Sequence, residues 1–178
     1  MNTRFRRAYA IDLDHIEAAY TRFLLTELGR SRPWTVWKLG VYPTRFTAED
    51  ALDRGELYVL EEEDGTFLSS VILNCAQPPE YAGIPWKCPV GPEEAMVIHT
   101  LCIDPDQAGR GVGKETVRRI LEEAKAQGCK AVRLDTGDQN KPAVGLYQKM
   151  GFTLASAGAI LLDGQIPHEN HVFMEYPL

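Results

Sequence analysis

Glycines alternate at positions 109, 111 and 113, directly ahead of a lysine, in the segment Ile103-Asp104-Pro105-Asp106-Gln107-Ala108-Gly109-Arg110-Gly111-Val112-Gly113-Lys114. This segment joins an apolar run, Met96 to Ile103, to a run of helical spacing, Gly111 to Gln127, so the glycines fall where a helix begins. Amides in a helix's first turn lack partners within the helix and carry the positive end of its dipole, which suits an anion. Residues without a Cβ let those amides come close to it. Gly113 precedes Val117 by four and so falls on the core face, where it serves packing. The competing reading is a tight strand-to-helix turn that holds nothing. A Walker loop needs Ser or Thr after the lysine and glycine at 108, where this chain has Glu115 and Ala108. A dinucleotide fold is the nearer rival, since Asp135 ends the following strand about twenty residues on, but the glycines do not form G-x-G-x-x-G.

The elements that must position this loop follow from periodicity. Arg4 to Ile11 reads as a first strand, and Asp14 with Glu17 marks a helix start before Ile16, Ala19, Tyr20, Phe23, Leu24 and Leu28, which Gly29 stops. Arg30 to Phe46 is an aromatic, basic loop or broken helix, and Thr47 to Arg54 a short capped helix. Leu57 to Glu62 and Phe67 to Asn74 form a hairpin around Asp64-Gly65. Cys75 to Glu94, with five prolines, is either a lid or binding loop or a wandering surface connection. Met96 to Ile103 is a central strand, Lys130 to Asp135 the next, and the helix between them makes a parallel crossover. Pro142 to Met150 is a short helix, and Phe152 to Leu162 and His171 to Tyr176 are late antiparallel strands. With no linker or repeat in 178 residues, one domain over 1–178 is expected.

Together with Asn140, Pro142-Ala143 and Leu146-Tyr147-Gln148-Lys149-Met150-Gly151-Phe152, the glycine loop resembles the acetyl-CoA binding half of the GCN5-related N-acetyltransferase (GNAT) superfamily, over Val97 to Phe152. The resemblance implies an α/β (α+β) fold: a mixed, mostly antiparallel twisted sheet with one parallel crossover, splayed between strands 4 and 5 and flanked by helices. Acyl-CoA would lie in that gap. Ala108 stands where the family pattern has Gln or Arg, with Gln107 one residue early, which leaves the backbone of Ala108, Gly109, Arg110, Gly111, Val112, Gly113 and Lys114 for the pyrophosphate. Leu101, Cys102 and Ile103 would pair their backbone with the pantetheine arm and acetyl carbonyl. Asn140 and Ala143 would help hold the cofactor, and Tyr147 matches the family's usual acid, a phenol near the thioester sulfur. The implied activity is transfer of acetyl from acetyl-CoA to a primary amine by direct attack in a ternary complex. A non-catalytic acyl-CoA binding module and a dinucleotide-binding oxidoreductase are the alternatives.

Such a reaction needs a base for a lysine-like amine of pKa about 10.4 and an acid for the thiolate. His99 in the central strand has the right ordinary pKa, and a core histidine is the rival reading. Glu94 or Glu93, at that strand's start, and Glu61 or Glu62 could act through a water. Trp34, Tyr42, Tyr81 and Trp86 are the aromatic candidates for packing on a small-molecule or peptide amine. His168 and His171, on an expected loop, give two ligands and so too little for a metal.

Nineteen basic against twenty-five acidic side chains leave a net charge of −6, which opposes binding to nucleic acid and to anionic membranes. Cys75, Cys88, Cys102 and Cys129 show no C-x-x-C spacing and suit reduced thiols in a cytoplasmic protein. No apolar run spans a bilayer. The family resemblance also allows a homodimer.

Overall fold

A computed structural model describes residues 2–178. Its elements are β1 (Thr3–Arg7), α1 (Leu13–Leu28), α2 (Arg45–Asp53), β2 (Leu57–Glu62), β3 (Phe67–Asn74), β4 (Ala95–Ile103), α3 (Val112–Ala126), β5 (Ala131–Gly137), α4 (Lys141–Lys149), β6 (Thr153–Leu162) and β7 (Ile166–Pro177). The strands form one mixed sheet in the order β1-β2-β3-β4-β5-β7-β6, the fold class expected. Pairs β1–β2, β2–β3, β5–β7 and β6–β7 are antiparallel, and β4–β5 is parallel. The parallel ladder joins Ala95 to Ala131, Met96 to Val132 and Val97 to Arg133. Among the described residues no β4–β5 pair follows Val97.

The chain forms two compact units. The first comprises residues up to Ser31, Trp37–Leu73 and His99–Thr116; the second comprises Arg32–Val36, Asn74–Ile98 and Val117–Leu178. No helix among the described residues is long and apolar enough to cross a membrane.

In the first unit β2 is buried on both faces, because alternate side chains meet different partners. Leu57 and Val59 join Ile16, Ala19 and Tyr20 of α1 and Ala48 and Ala51 of α2. Leu60 joins Leu68 of β3 and Val112 at the start of α3. The α1 stripe departs from expectation at its end, where Glu27 is buried and Leu28 is 67% exposed. Glu27 lies one heptad after Tyr20 and so stays within the stripe, and Arg30 neutralises it at 2.6 Å.

The expected strand to Ile11 stops at Arg7, and the physical reason is Asp12. Its carboxylate accepts the Tyr9 amide at 2.7 Å and closes a 3₁₀ turn, Ala10–Asp12, so α1 starts at Leu13 and not at Asp14. The Arg6 guanidinium ties this turn to the sheet, reaching Asp12 at 2.8 Å and Glu61 at 2.6 Å. Helix α2 likewise begins two residues early, because the Thr44 amide donates to Thr47 Oγ1 at 3.0 Å.

In the second unit β7 is twice as long as the expected His171 to Tyr176 run. Two register shifts hide it from a period-two reading. Leu154–Met174 is followed by Ser156–Phe173, an extra residue on β6; Gly158–His171 is followed by Ile160–His168, an extra residue on β7. His168 and His171 therefore lie in a strand and not in the expected loop. The bulge between them brings residues three apart side by side, with ring centroids 4.7 Å apart.

Glu61 is 5% exposed, and its bonds to Arg6, reinforced by Arg4, hold its carboxyl below the ordinary 4.5 despite burial. A depressed carboxylate stabilises the fold above its unfolded pKa, and that stability is lost as pH falls through the folded value. Urea midpoints should therefore drop steeply below pH 4.5, and Glu61→Gln should lower the midpoint at pH 7 while making it less sensitive to acid. A Glu61→Gln curve parallel to wild type across that range would show that the pair carries no linkage.

Candidate functional site

In the first unit, β4 does not run straight to the glycine loop. Thr100 has φ +46°, a left-handed conformation that a β-branched residue rarely adopts. Its Oγ1 is hydrogen-bonded to the hydroxyl of Tyr42, both groups being buried, and the Tyr42 ring packs edge-on against Trp37 at 6.1 Å. The break interrupts the pleat directly before Leu101, Cys102 and Ile103. Sequence patterning missed it, since Met96 to Ile103 is apolar throughout except for His99 and Thr100. His99 is half-buried beside it.

The loop beyond is shaped by Asp104. One carboxylate oxygen accepts the Asp106 amide at 3.1 Å, and the pair accepts Arg22 of α1 at 3.1 and 2.5 Å. Ala108, Gly109, Arg110 and Gly111 are exposed. Gly109 has φ +79° and Gly111 φ +80°, conformations that only glycine adopts without strain, and a Cβ at either would meet no protein atom within 4 Å. These glycines are thus required by backbone shape and leave their surroundings open, which is what a cradle for a ligand needs. Arg110 pairs with Glu62 and with Gln107. Val112 is buried and Gly113 half-buried, while the Lys114 side chain lies outside.

In the second unit, Asn140 caps α4, its Oδ1 accepting the Ala143 amide at 3.3 Å. Tyr147 is 6% exposed on that helix, edge-on to Phe152 at 5.4 Å. Burial pushes its phenol up, and the Asp135 charge adds to this. Asp135 is itself pushed up to about 6 by burial, against the bond it accepts from the Tyr81 hydroxyl at 2.7 Å. Its other oxygen lies 3.8 Å from Nδ1 of His171. Burial and the neighbouring His168 push His171 down to about 4.

Of the aromatic candidates, Tyr42 and Tyr81 are buried with their hydroxyls engaged, and Trp86 donates Nε1–H to the Tyr81 carbonyl at 3.0 Å beneath the Arg133 guanidinium. Trp34 is half-buried. The proline-rich segment is a pinned connection: Glu175 of β7, 1% exposed, accepts the amides of Lys87 at 2.6 Å and Cys88 at 2.8 Å. Glu94 is ion-paired with Lys130 and accepts the Gly91 amide at 3.2 Å, which holds its carboxyl down, so it is a poor proton acceptor. Among the described residues no group of three or more His, Cys, Asp or Glu is placed to hold a metal. All four cysteines are free thiols.

The model of the acetyltransferase (GNAT) family matches residues 20–152. An uncharacterized N-acetyltransferase of Methanocaldococcus jannaschii is 36% identical over 67 residues, which are 38% of this chain and 30% of that one. The chain therefore spans about a third of the length of that curated relative. An N-acetyltransferase of Staphylococcus aureus Mu50 superposes with a TM-score of 0.68 at 20% identity, covering 99% of each chain. A phosphinothricin acetyltransferase of Sinorhizobium meliloti, solved in complex with acetyl-CoA, superposes at 0.67 with 16% identity, covering 100% of this chain and 89% of that one. At such identities the likeness is one of fold.

Tyr81→Phe removes the donor to Asp135 and leaves a buried carboxylate short of a hydrogen bond, a cost of about 1–3 kcal/mol at neutral pH. The carboxyl pKa should then rise further above 6, read as the 13C carboxyl shift of Asp135 against pH. A raised acid stabilises the fold below its ordinary 3.8 and loses that contribution as pH rises through the folded value, so the variant should lose least at low pH. An unmoved Asp135 titration would show that Tyr81 does not set it.

Proposed function

Since the chain belongs to the acetyltransferase (GNAT) family, we propose that it is an N-acetyltransferase that moves an acetyl group from acetyl-CoA to a primary amine of a small molecule or peptide, by direct attack in a ternary complex. The observation that carries this reading is the pair of exposed positive-φ glycines, 109 and 111, at the N-terminus of a fifteen-residue helix. Acetyl-CoA supplies an acyl group already activated as a thioester, attached to an anionic pyrophosphate.

The residues fit that group. Amides of Gly109 to Gly113, with the dipole of α3 behind them, would take the pyrophosphate without any side chain. This is why Ala108, in place of a longer polar residue, does not disable the loop. The left-handed turn at Thr100 breaks the strand pleat just before Leu101–Ile103, the stretch whose backbone would pair with an extended pantetheine and aim an amide at a developing oxyanion. Asn140 and Ala143 shape the start of α4, which carries Tyr147. A buried phenol with a raised pKa keeps its proton at neutral pH, the state in which a general acid for a leaving thiolate must begin.

Thiol release measured with a panel of primary amines tests the reading. With an accepted amine, Tyr147→Phe should lower kcat about 10²-fold or more while calorimetry shows little change in affinity for acetyl-CoA. Gly111→Ala should act on the other arm, weakening acetyl-CoA about tenfold, because a left-handed alanine costs roughly 1–2 kcal/mol. Tight binding of acetyl-CoA with no turnover on any amine would sink the enzymatic reading in favour of a binding module.

A further inference from the structure

We propose that His168 and His171 form a one-proton pair that takes the proton from the acceptor amine, with Asp135 and Tyr81 positioning it. This rests on the transferase reading above and supplies the base that reading lacks. Glu94 is unsuited because Lys130 already holds its charge.

The observations are geometric. The β7 bulge places the two imidazoles 4.7 Å apart, and the Nδ1 atoms of both are buried with no hydrogen-bond partner. A buried imidazole nitrogen without a partner is costly unless a ligand or a proton uses it. His171 is 2% exposed, whereas His168 is only half-buried and so is the member able to meet a substrate. Behind them, Asp135 turns one oxygen toward His171 Nδ1 at 3.8 Å, and its other oxygen is fixed by the Tyr81 hydroxyl at 2.7 Å. The same carboxylate acts electrostatically on the Tyr147 phenol, so the proposed acid and the proposed base flank one buried charge.

The charges around the pair settle how many protons it holds. Two imidazolium ions so close repel each other, which disfavours a second proton. Burial and His168 hold His171 neutral, outweighing Asp138 and Glu80, which favour its protonated form; Glu80 is held near by the Leu161 amide at 3.0 Å. Asp135 adds a negative charge when ionised, while Tyr81 and Tyr147 stay neutral; Arg133 acts on Tyr81 and is itself desolvated. In the step, the ammonium N–H bond of the acceptor breaks and its proton binds a His168 nitrogen. The freed lone pair would then form the C–N bond to the acyl carbon as the C–S bond breaks, the departing thiolate taking the Tyr147 proton; the nitrogen's second proton returns to the Tyr147 phenolate, and the imidazolium releases its proton to solvent. His168 is the catalytic residue; His171, Asp135 and Tyr81 act through it.

The test uses two acceptors in the intact protein: a primary alkylamine, protonated at neutral pH, and an arylamine that is already neutral. For the alkylamine, His168→Gln should lower kcat/KM about 10²-fold at pH 7, with the loss shrinking toward pH 10 as the amine deprotonates in bulk. The arylamine should be almost indifferent to the substitution. Asp135→Asn should shift the acidic limb of kcat/KM to lower pH, since removing the anion weakens the pair's hold on a proton. Histidine Cε1–H resonances of the free protein should show the two rings responding together to a single uptake, and His171→Gln should leave His168 responding alone. Equal losses for both acceptors at every pH, no loss at all, or two independent titrations near 6.5 would each overturn the pair. A wild-type protein that turns over neither these nor any other amine would instead overturn the transferase reading, and with it the need for a base.

Discussion

A threonine held at φ +46° inside a strand is the constraint on which the first unit depends. The left-handed region costs an L-residue roughly 1–2 kcal/mol, more for one branched at Cβ, so Thr100 stays there only because its surroundings fix it. The fixing contact is the hydroxyl of Tyr42, whose ring is held in turn by Trp37 and, through it, by Phe23 of α1. A segment that sequence shows only as an aromatic loop therefore sets the backbone direction of β4. Without the turn, Leu101 to Ile103 would continue the pleat and present the opposite faces.

The second unit depends on buried charge. Arg133 and Glu175 are 4% and 1% exposed on neighbouring strands, paired across the ladder. Glu175 spends its oxygens on the amides of Lys87 and Cys88; Arg133 donates to the Cys88 carbonyl at 3.2 Å and lies 4.6 Å from the Trp86 ring. Breaking one member of such a set leaves the other charge uncompensated, which is why an arrangement of this kind locks a loop more firmly than its apolar contacts alone. The same loop delivers Tyr81 to Asp135, so loop anchoring and the polarity around Tyr147 are coupled through one short stretch of chain.

Much of this was legible in the sequence. The β2–β3 hairpin falls on the expected residues because alternation and an Asp-Gly turn define it from within. Helix α3 and the glycine loop were readable for the same local reason, as was the short helix bearing Tyr147. What local pattern could not show were pairings across long separations. Tyr81 and Asp135 lie 54 positions apart, Tyr42 and Thr100 58 apart, and nothing in either neighbourhood names its partner. Bulges defeated the period-two rule in β7, and so the two histidines read as lying in a loop and not side by side in a strand. Glu27 shows the converse, a charge accepted into an apolar stripe because Arg30 stands within reach.

Asp104 has a consequence of another kind. Its carboxylate grips a guanidinium from α1 while also closing its own turn, so the backbone of the glycine segment is set before anything arrives. A rigid receptor gives up little disorder on capturing its guest. On the proposed reading, Arg22 of α1 would thereby tune how readily the loop takes up and lets go of its ligand, through Asp104 and without touching the ligand itself.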